Sequence, residues 1–116
     1  MKMPKAGAKA IAEFQGLVAA FPSAASRPVF GQPAAFVKGN MFLGVFGDSV
    51  FVRLSEEDRA RAHAELGAGP FEPMPGRPMR EYVVLPPKVL QDPKLAAEWT
   101  ARSFQYASRL PGKKPK

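Results

Sequence analysis

The sequence predicts a single α+β domain in which an antiparallel sheet carries helices on one side. Its 116 residues suit one domain, and 46% of them are hydrophobic, which is enough for one core. Apolar residues recur at helical spacing near both ends, and short runs rich in Phe and Val lie between them. The turns between these runs are short, and short turns join antiparallel strands. The predicted order of elements is α-β-β-β-α-β-β-α.

The first predicted element is a helix over residues 9–21. Five apolar residues recur there at helical spacing and form one stripe: Ile11, Phe14, Leu17, Val18 and Phe21. Pro22 ends this helix because it has no backbone N–H to donate.

Three strands are predicted between residues 27 and 54. Apolar runs there are divided by two turn-forming triplets, residues 38–40 and residues 47–49. The last run alternates, so Phe51 and Arg53 are expected on the face opposite its valines.

Two helices and one or two strands follow. Ser55 is expected to cap the second helix, whose first turn is acidic, and Gly67 ends it. Residues 70–78 contain four prolines, so they form at most an edge strand before the strand at residues 79–85. Asp92 is the predicted N-cap of the last helix, with a proline at its first position.

The positive charge is concentrated at the two ends of the chain. The formal net charge is +7, but six of the seventeen basic residues are lysines before residue 10 or after residue 112. Eleven basic and ten acidic residues remain between them. We therefore expect a single domain at residues 9–111, a flexible basic tail at residues 1–8 and a second basic tail at residues 112–116. Solvated tails are the favoured interpretation over nucleic-acid-binding arms.

The residue types of most catalytic and metal sites are absent. There is no cysteine, so disulfides, thiolate catalysis and cysteine-ligated zinc are excluded. The one histidine, His63, falls inside a predicted helix and is interpreted as an ordinary helix position. Neither a Gly-x-Ser-x-Gly motif nor a phosphate-binding glycine loop is present. We expect a protein that is not an enzyme, with no cofactor and no metal.

Aromatic residues and three arginines are the remaining candidates for contacts. Five phenylalanines fall in the predicted sheet region with few basic residues between them: Phe30, Phe36, Phe42, Phe46 and Phe51. Core or dimer packing is favoured over stacking on nucleic-acid bases. Arg27, Arg53 and Arg80 lie on or beside strands, where they can pair with Glu72 or Glu81 or hold an anionic partner.

Several segments, in order along the chain, resemble the TfoX/Sxy N-terminal domain family. Residues 27–31 (RPVFG) resemble its R-x-M-F-G-G segment, and residues 39–42 its G-x-x-F turn. Residues 69–73 (GPFEP) are similar to its G-x-x-P-F-x-P stretch, and residues 95–99 to its L-x-x-W helix. Val29 replaces the usual Met and Gln32 the usual second Gly. The residues expected to carry the motif structurally are Phe30, Gly31, Phe42, Gly69, Phe71, Tyr82 and Trp99.

The resemblance implies an antiparallel α+β fold similar to that of type III secretion chaperones. It also implies a relation to bacterial competence regulators, in which a helical C-terminal domain commonly follows; here we expect a stand-alone N-terminal-type domain. The family supplies no catalytic residues. The favoured function is a cytoplasmic, non-enzymatic regulatory domain that binds a protein partner or a second copy of itself as a homodimer. The alternative is a nucleic-acid-binding transcriptional co-regulator that uses the basic tails and the strand arginines. No apolar run is long enough to cross a membrane, so no membrane partner is expected.

Overall fold

A computed structural model describes residues 6–29, 31–74 and 76–111 of the chain. Within these residues, six antiparallel strands form one sheet in the order β1-β2-β3-β4-β6-β5. The strands are β1 (Ala25–Val29), β2 (Gln32–Val37), β3 (Asn40–Phe46), β4 (Ser49–Arg53), β5 (Gly69–Met74) and β6 (Arg77–Leu85). The helices are α1 (Ala8–Val18), α2 (Glu56–Arg61), which continues as a π-helical turn (Ala62–Leu66), α3 (Pro87–Leu90) and α4 (Pro93–Arg109). The predicted α+β class is confirmed.

Residues 25–53 form four strands, one more than the sequence predicts. The first predicted strand, before the turn at residues 38–40, is divided into β2 and the edge strand β1, in which four of the five residues are exposed. An edge strand buries little, so its sequence lacks the apolar alternation from which a strand is recognised. The short helix α3 was likewise not predicted.

The main core lies between the sheet and the helices. It contains Trp99 of α4 and Phe42 of β3, whose exposed fractions are 1% and 0%. The register between β2 and β3 shifts by one residue, and this bulge turns both Phe42 and Leu43 toward the helices. Phe42 packs edge-on against Phe104 at 5.3 Å between ring centroids. Helices therefore cover one face of the sheet, as the sequence predicts.

Three other predicted helix ends are present, whereas α1 ends at Val18 rather than at residue 21. The Ser55 hydroxyl accepts a hydrogen bond from the Asp58 N–H at 3.2 Å. The Asp92 carboxylate accepts one from the Leu95 N–H, also at 3.2 Å. Gly67 ends the π-helical turn in the left-handed conformation, with φ of 71°.

The ends of the described chain are attached to the sheet at separate points. The Gly7 N–H donates a hydrogen bond to the Gly47 carbonyl at 2.8 Å. The buried amide of Asn40 donates to the carbonyls of Ala107 and Pro111, at 3.4 and 3.1 Å. Both ends are thus fixed beside strand β3.

Candidate interaction face

The sheet face opposite the main core carries a second apolar cluster, which we call the aromatic face. Side chains alternate between the two faces of a strand, so the residues between the core positions point here. Its buried members are Ala34, Met41, Phe51, Phe71 and Tyr82. Its partly exposed members are Val29, Phe36, Phe46, Met79 and Val84. An apolar surface therefore lies on the side of the sheet that the core-packed helices leave uncovered.

Phe51 lies at the centre of the aromatic face, between a glycine and a second ring. Gly44 of β3 is its cross-strand neighbour, and a Cβ atom at Gly44 would lie 2.4 Å from Phe51 Cζ. The ring therefore lies over the backbone of the adjacent strand, where only glycine leaves room. On its other side, Phe51 stacks on Phe71 with 4.1 Å between centroids and 10° between ring planes.

Phe71 covers the centre because the β5–β6 ribbon bends over the face. Its ring lies 5.5 Å from that of Phe46 on β3, between centroids. In a flat sheet, three strand spacings of roughly 4.8 Å each would separate β5 from β3. The β5–β6 register is irregular on both sides of Phe71, which is where the bend occurs.

Tyr82 holds this arrangement together by a buried hydrogen bond. Its hydroxyl donates to the Met41 carbonyl at 3.1 Å and connects β6 to β3 across β4. Burial raises the pKa of Tyr82 above the ordinary value of 10.0. The hydroxyl therefore stays protonated at neutral pH and remains a donor.

Arg27 is the exposed cation of the aromatic face. It lies on the edge strand β1, and its guanidinium carbon is 4.2 Å from the ring centroid of Phe36. Within the described residues it makes no ion pair. The N–H groups of a guanidinium lie in its own plane, so a guanidinium over the face of a ring can still donate them to an acceptor from outside.

Arg53 has a partner inside the molecule. Its Nε donates to Glu81 Oε1 at 2.6 Å, and Glu81 also accepts from the Tyr106 hydroxyl at 3.0 Å. Burial raises the pKa of Glu81, but the hydrogen bonds from Arg53 and Tyr106 lower it by more. The net pKa is below the ordinary value of 4.5. Of the two carboxylates proposed from the sequence, Glu81 is therefore the one that pairs with Arg53.

Arg80 is exposed, and its side chain makes no ion pair within the described residues. Its carbonyl accepts a hydrogen bond from the Arg59 guanidinium at 2.7 Å. Arg80 lies on β6, separated from Arg27 on β1 by β2, β3 and β4. The three arginines singled out in the sequence therefore do not form one patch.

The residues of the family motif fall on both sides of the sheet. Phe42 and Trp99 belong to the main core, whereas Phe71 and Tyr82 belong to the aromatic face. Gly31 follows β1 with φ of 73°, and Gly69 begins β5. Phe30 lies outside the described residues.

Other chemistry is sparse in the described part of the chain. His63 is exposed on the π-helical turn. The described residues contain no group of three or more His, Cys, Asp or Glu side chains placed to hold a metal ion. Among the described helices, none has the length and apolar character needed to cross a membrane.

Sequence reasoning missed two parts of this face. A glycine in a strand interior often marks a close approach, but no pattern in the sequence links Gly44 to Phe51. Sequence reasoning also placed Phe71 on an edge strand without the bend that carries its ring over Phe46 and Phe51. No local pattern indicates that bend, because the stacked residues are far apart in the sequence.

Comparison with protein families identifies the chain. The TfoX N-terminal domain family matches residues 16–107, which is most of the 116 residues, so the chain belongs to this family. No match is found among curated proteins or among solved structures.

Proposed function

We propose that this chain is a non-enzymatic regulatory domain of the bacterial cytoplasm, which acts through protein contacts made by its aromatic face. The observation that carries the proposal is the rim of partly exposed apolar residues around a buried aromatic centre, including Phe36 and Met79. Contiguous apolar surface of this kind commonly marks a site of protein association. Family membership supports a relation to the N-terminal domains of TfoX-type competence regulators.

The partner we propose is a protein that offers apolar side chains together with a carboxylate. The apolar side chains would cover the ring of Phe36 and its neighbours, with favourable burial of apolar area. The carboxylate would accept the in-plane N–H groups of Arg27, which have no acidic partner in the described residues. A second copy of the chain meets this requirement if one of its own carboxylates reaches Arg27.

Site-specific photo-crosslinking tests this proposal. The photoreactive residue benzoyl-phenylalanine replaces Phe36 in cells that produce the chain, and the matched control replaces Gln15, which is exposed on α1. We expect a discrete adduct from position 36 that position 15 does not give, and a strong loss of that adduct on Arg27→Glu. An adduct of twice the chain mass, reproduced with purified protein, would identify the second copy.

Two results would contradict the proposal. One is an equal yield of adducts from positions 36 and 15. The other is the absence of any adduct from position 36 together with a monomer by light scattering.

The second candidate is a nucleic-acid-binding transcriptional co-regulator. Arg27 and Arg80 are exposed and make no ion pair in the described residues. Lysines are concentrated at both ends of the sequence. Phosphate contacts by such groups would give an affinity that falls steeply with salt.

A further inference from the structure

A cleft between α1 and α4 has no part in the contacts described above. It encloses about 300 Å³ and lies on the helical side of the molecule, away from the aromatic face. The two helices meet here with small side chains, among them Ala12 and Gly16 on one side and Ala96 and Ala97 on the other. Small residues facing each other leave space that the neighbouring larger residues, Leu17 and Leu90, do not fill.

Glu13 is the one ionisable residue among those lining the cleft. Its side chain is partly buried and makes no hydrogen bond or ion pair within the described residues. A partly desolvated carboxylate without a partner gains free energy when a cation binds beside it.

The charged groups beside Glu13 do not cancel its negative charge. A smaller cavity of about 160 Å³ adjoins the cleft, because Glu13 and Leu90 line both. It adds the Asp48 carboxylate and the Lys9 ammonium. Lys9 is one helical turn from Glu13 but forms no ion pair with it. Two carboxylates and one ammonium leave a net negative charge at this end of the cleft.

We propose that the cleft binds a small amphiphilic cation. The apolar chain of the ligand lies between α1 and α4, and its ammonium group lies against the Glu13 carboxylate. Burial of the chain removes apolar surface from water, and the ammonium supplies the charge partner that Glu13 lacks. The ligand class is therefore a primary amine that carries a hydrocarbon chain.

The net positive charge of the protein helps to distinguish binding at Glu13 from general electrostatic attraction. A chain of net charge +7 attracts anions through its long-range field. General electrostatics therefore predicts that a carboxylate binds better than an amine of the same chain length. A preference for the amine would therefore indicate a local negative site such as Glu13.

Titration of the full-length chain with octylammonium and with octanoate, followed by ¹H–¹⁵N correlation spectra at pH 7, tests the proposal. We expect octylammonium to shift the amides of Ala12, Gly16 and Ala97. We also expect its dissociation constant to be lower than that of octanoate by about threefold or more, within the range of a partly exposed ion pair. Glu13→Gln is expected to abolish the preference and leave the apolar contribution.

A second variant fills the cleft itself. A Cβ atom at Gly16 meets no atom within 4 Å, so Gly16→Leu adds volume to the cleft without a backbone clash. We expect this variant to weaken binding of both probes. The matched control, Gln15→Leu, is exposed on the same helix and does not line the cleft, so it is expected to leave both affinities unchanged.

Several outcomes would overturn the proposal. If octanoate binds as tightly as octylammonium or more tightly, general electrostatics and apolar adsorption account for the binding, and Glu13 does not. Shifts confined to the aromatic face, or the absence of saturable shifts, would place no ligand in the cleft. Retention of the amine preference in Glu13→Gln would remove Glu13 from the site, and this result does not depend on how Gly16→Leu folds.

Discussion

Gly44 leaves room for the ring of Phe51 between the backbone of β3 and the ring of Phe71. Its missing side chain admits the ring of Phe51, and Phe71 closes over that ring from the other side. The Phe51 ring therefore cannot move away from a new atom at position 44 without separating from Phe71. The consequence is that a single methyl group at this glycine disturbs the centre of the aromatic face.

Gly44→Ala is expected to lower the free energy of unfolding by about 1–3 kcal/mol, the usual cost of overpacking a close-packed site. Urea denaturation followed by circular dichroism measures the loss. The control is Gly69→Ala, where an added Cβ meets no atom within 4 Å and the expected change is within about 0.5 kcal/mol. Equal effects of the two substitutions would show that Gly44 does not make room for Phe51.

The hydroxyl group of Ser103 supplies hydrogen bonds to backbone groups beside the bulge in β3. It donates to the Phe42 carbonyl at 2.5 Å and accepts from the Arg53 N–H at 3.1 Å. Both backbone groups thereby find a partner on α4, because the bulge interrupts regular strand pairing at Phe42.

Ser103→Ala is expected to cost about 1–3 kcal/mol, because it leaves a buried carbonyl and an N–H group without partners. Ser108→Ala is the control, since the one hydrogen bond of the Ser108 hydroxyl within the described residues is to the nearby carbonyl of Gln105. Urea denaturation of both variants provides the measurement. A loss no larger than that of the control would mean that water satisfies both backbone groups.

At the scale of elements, helix α4 is attached to the sheet by contacts to separate strands. Besides Ser103, its Tyr106 hydroxyl donates to Glu81 of β6, which also binds Arg53 of β4. In its last turns, the Ala107 carbonyl accepts a hydrogen bond from the side-chain amide of Asn40, at the start of β3. These contacts are polar, whereas the helix buries Trp99 in the core. They fix the position of the helix along the sheet, which apolar packing alone specifies less strictly.

The contact through Glu81 predicts a dependence of stability on pH. Because the pKa of Glu81 is lower in the folded than in the unfolded protein, its stabilisation is complete above about pH 5. It is lost as the pH falls through the folded-state pKa. The difference in free energy of unfolding between the natural chain and Glu81→Gln is therefore expected to stay constant from pH 7 to about pH 5 and to shrink below that.

Urea midpoints between pH 3 and pH 7 measure this difference. Glu13→Gln is the control for the replacement of a carboxylate by an amide, since Glu13 makes no ion pair in the described residues. If the difference in free energy of unfolding between the natural chain and Glu81→Gln stays unchanged down to pH 3, ionisation of Glu81 does not contribute to stability.

At the scale of the whole molecule, the charge distribution gives a test between the two candidate functions. The central part of the sequence is nearly neutral, and the excess of lysines lies at its ends. We expect any DNA binding at low salt to disappear when Lys2, Lys5, Lys113, Lys114 and Lys116 are replaced by Gln. Fluorescence anisotropy with duplex DNA at low and physiological salt provides the measurement.

Retained affinity in the lysine variant at physiological salt would favour the nucleic-acid candidate over protein contacts by the aromatic face. The salt slope would then count the phosphates contacted, at roughly 0.9 log unit of affinity per log unit of salt for each. Variants at Arg27 and Arg80 would show which exposed arginine contributes.

The sequence predicts those parts of this fold that depend on neighbours along the chain. Alternation in β4 placed Phe51 on the face opposite Val50 and Val52, and the caps at Ser55 and Asp92 marked two helix starts. The division between β1 and β2 was missed because the exposed residues of β1 carry no alternating pattern. Alternation of apolar residues therefore predicts strands with one buried face, and it does not mark strands whose residues are mostly exposed.

The ion pairing of the arginines depends on which strands are neighbours in the sheet, and these strands need not be consecutive in the sequence. Arg53 meets Glu81 only because β4 pairs with β6, across the whole of α2 and β5. Arg27 makes no ion pair with any described residue, and it lies on β1, at the edge of the sheet. Both residues looked alike in the sequence, and only the sheet order separates them.

The attachment of both chain ends beside β3 has a consequence for engineering. Gly7 is bonded to Gly47, just after β3 ends, and Pro111 is bonded to Asn40, where β3 begins. Seven residues of extended strand therefore separate the two attachment points, roughly 23 Å at 3.3 Å per residue. A circular permutant of this domain must bridge that distance along the sheet, so a linker of two or three residues between these points would pull one end away from its strand.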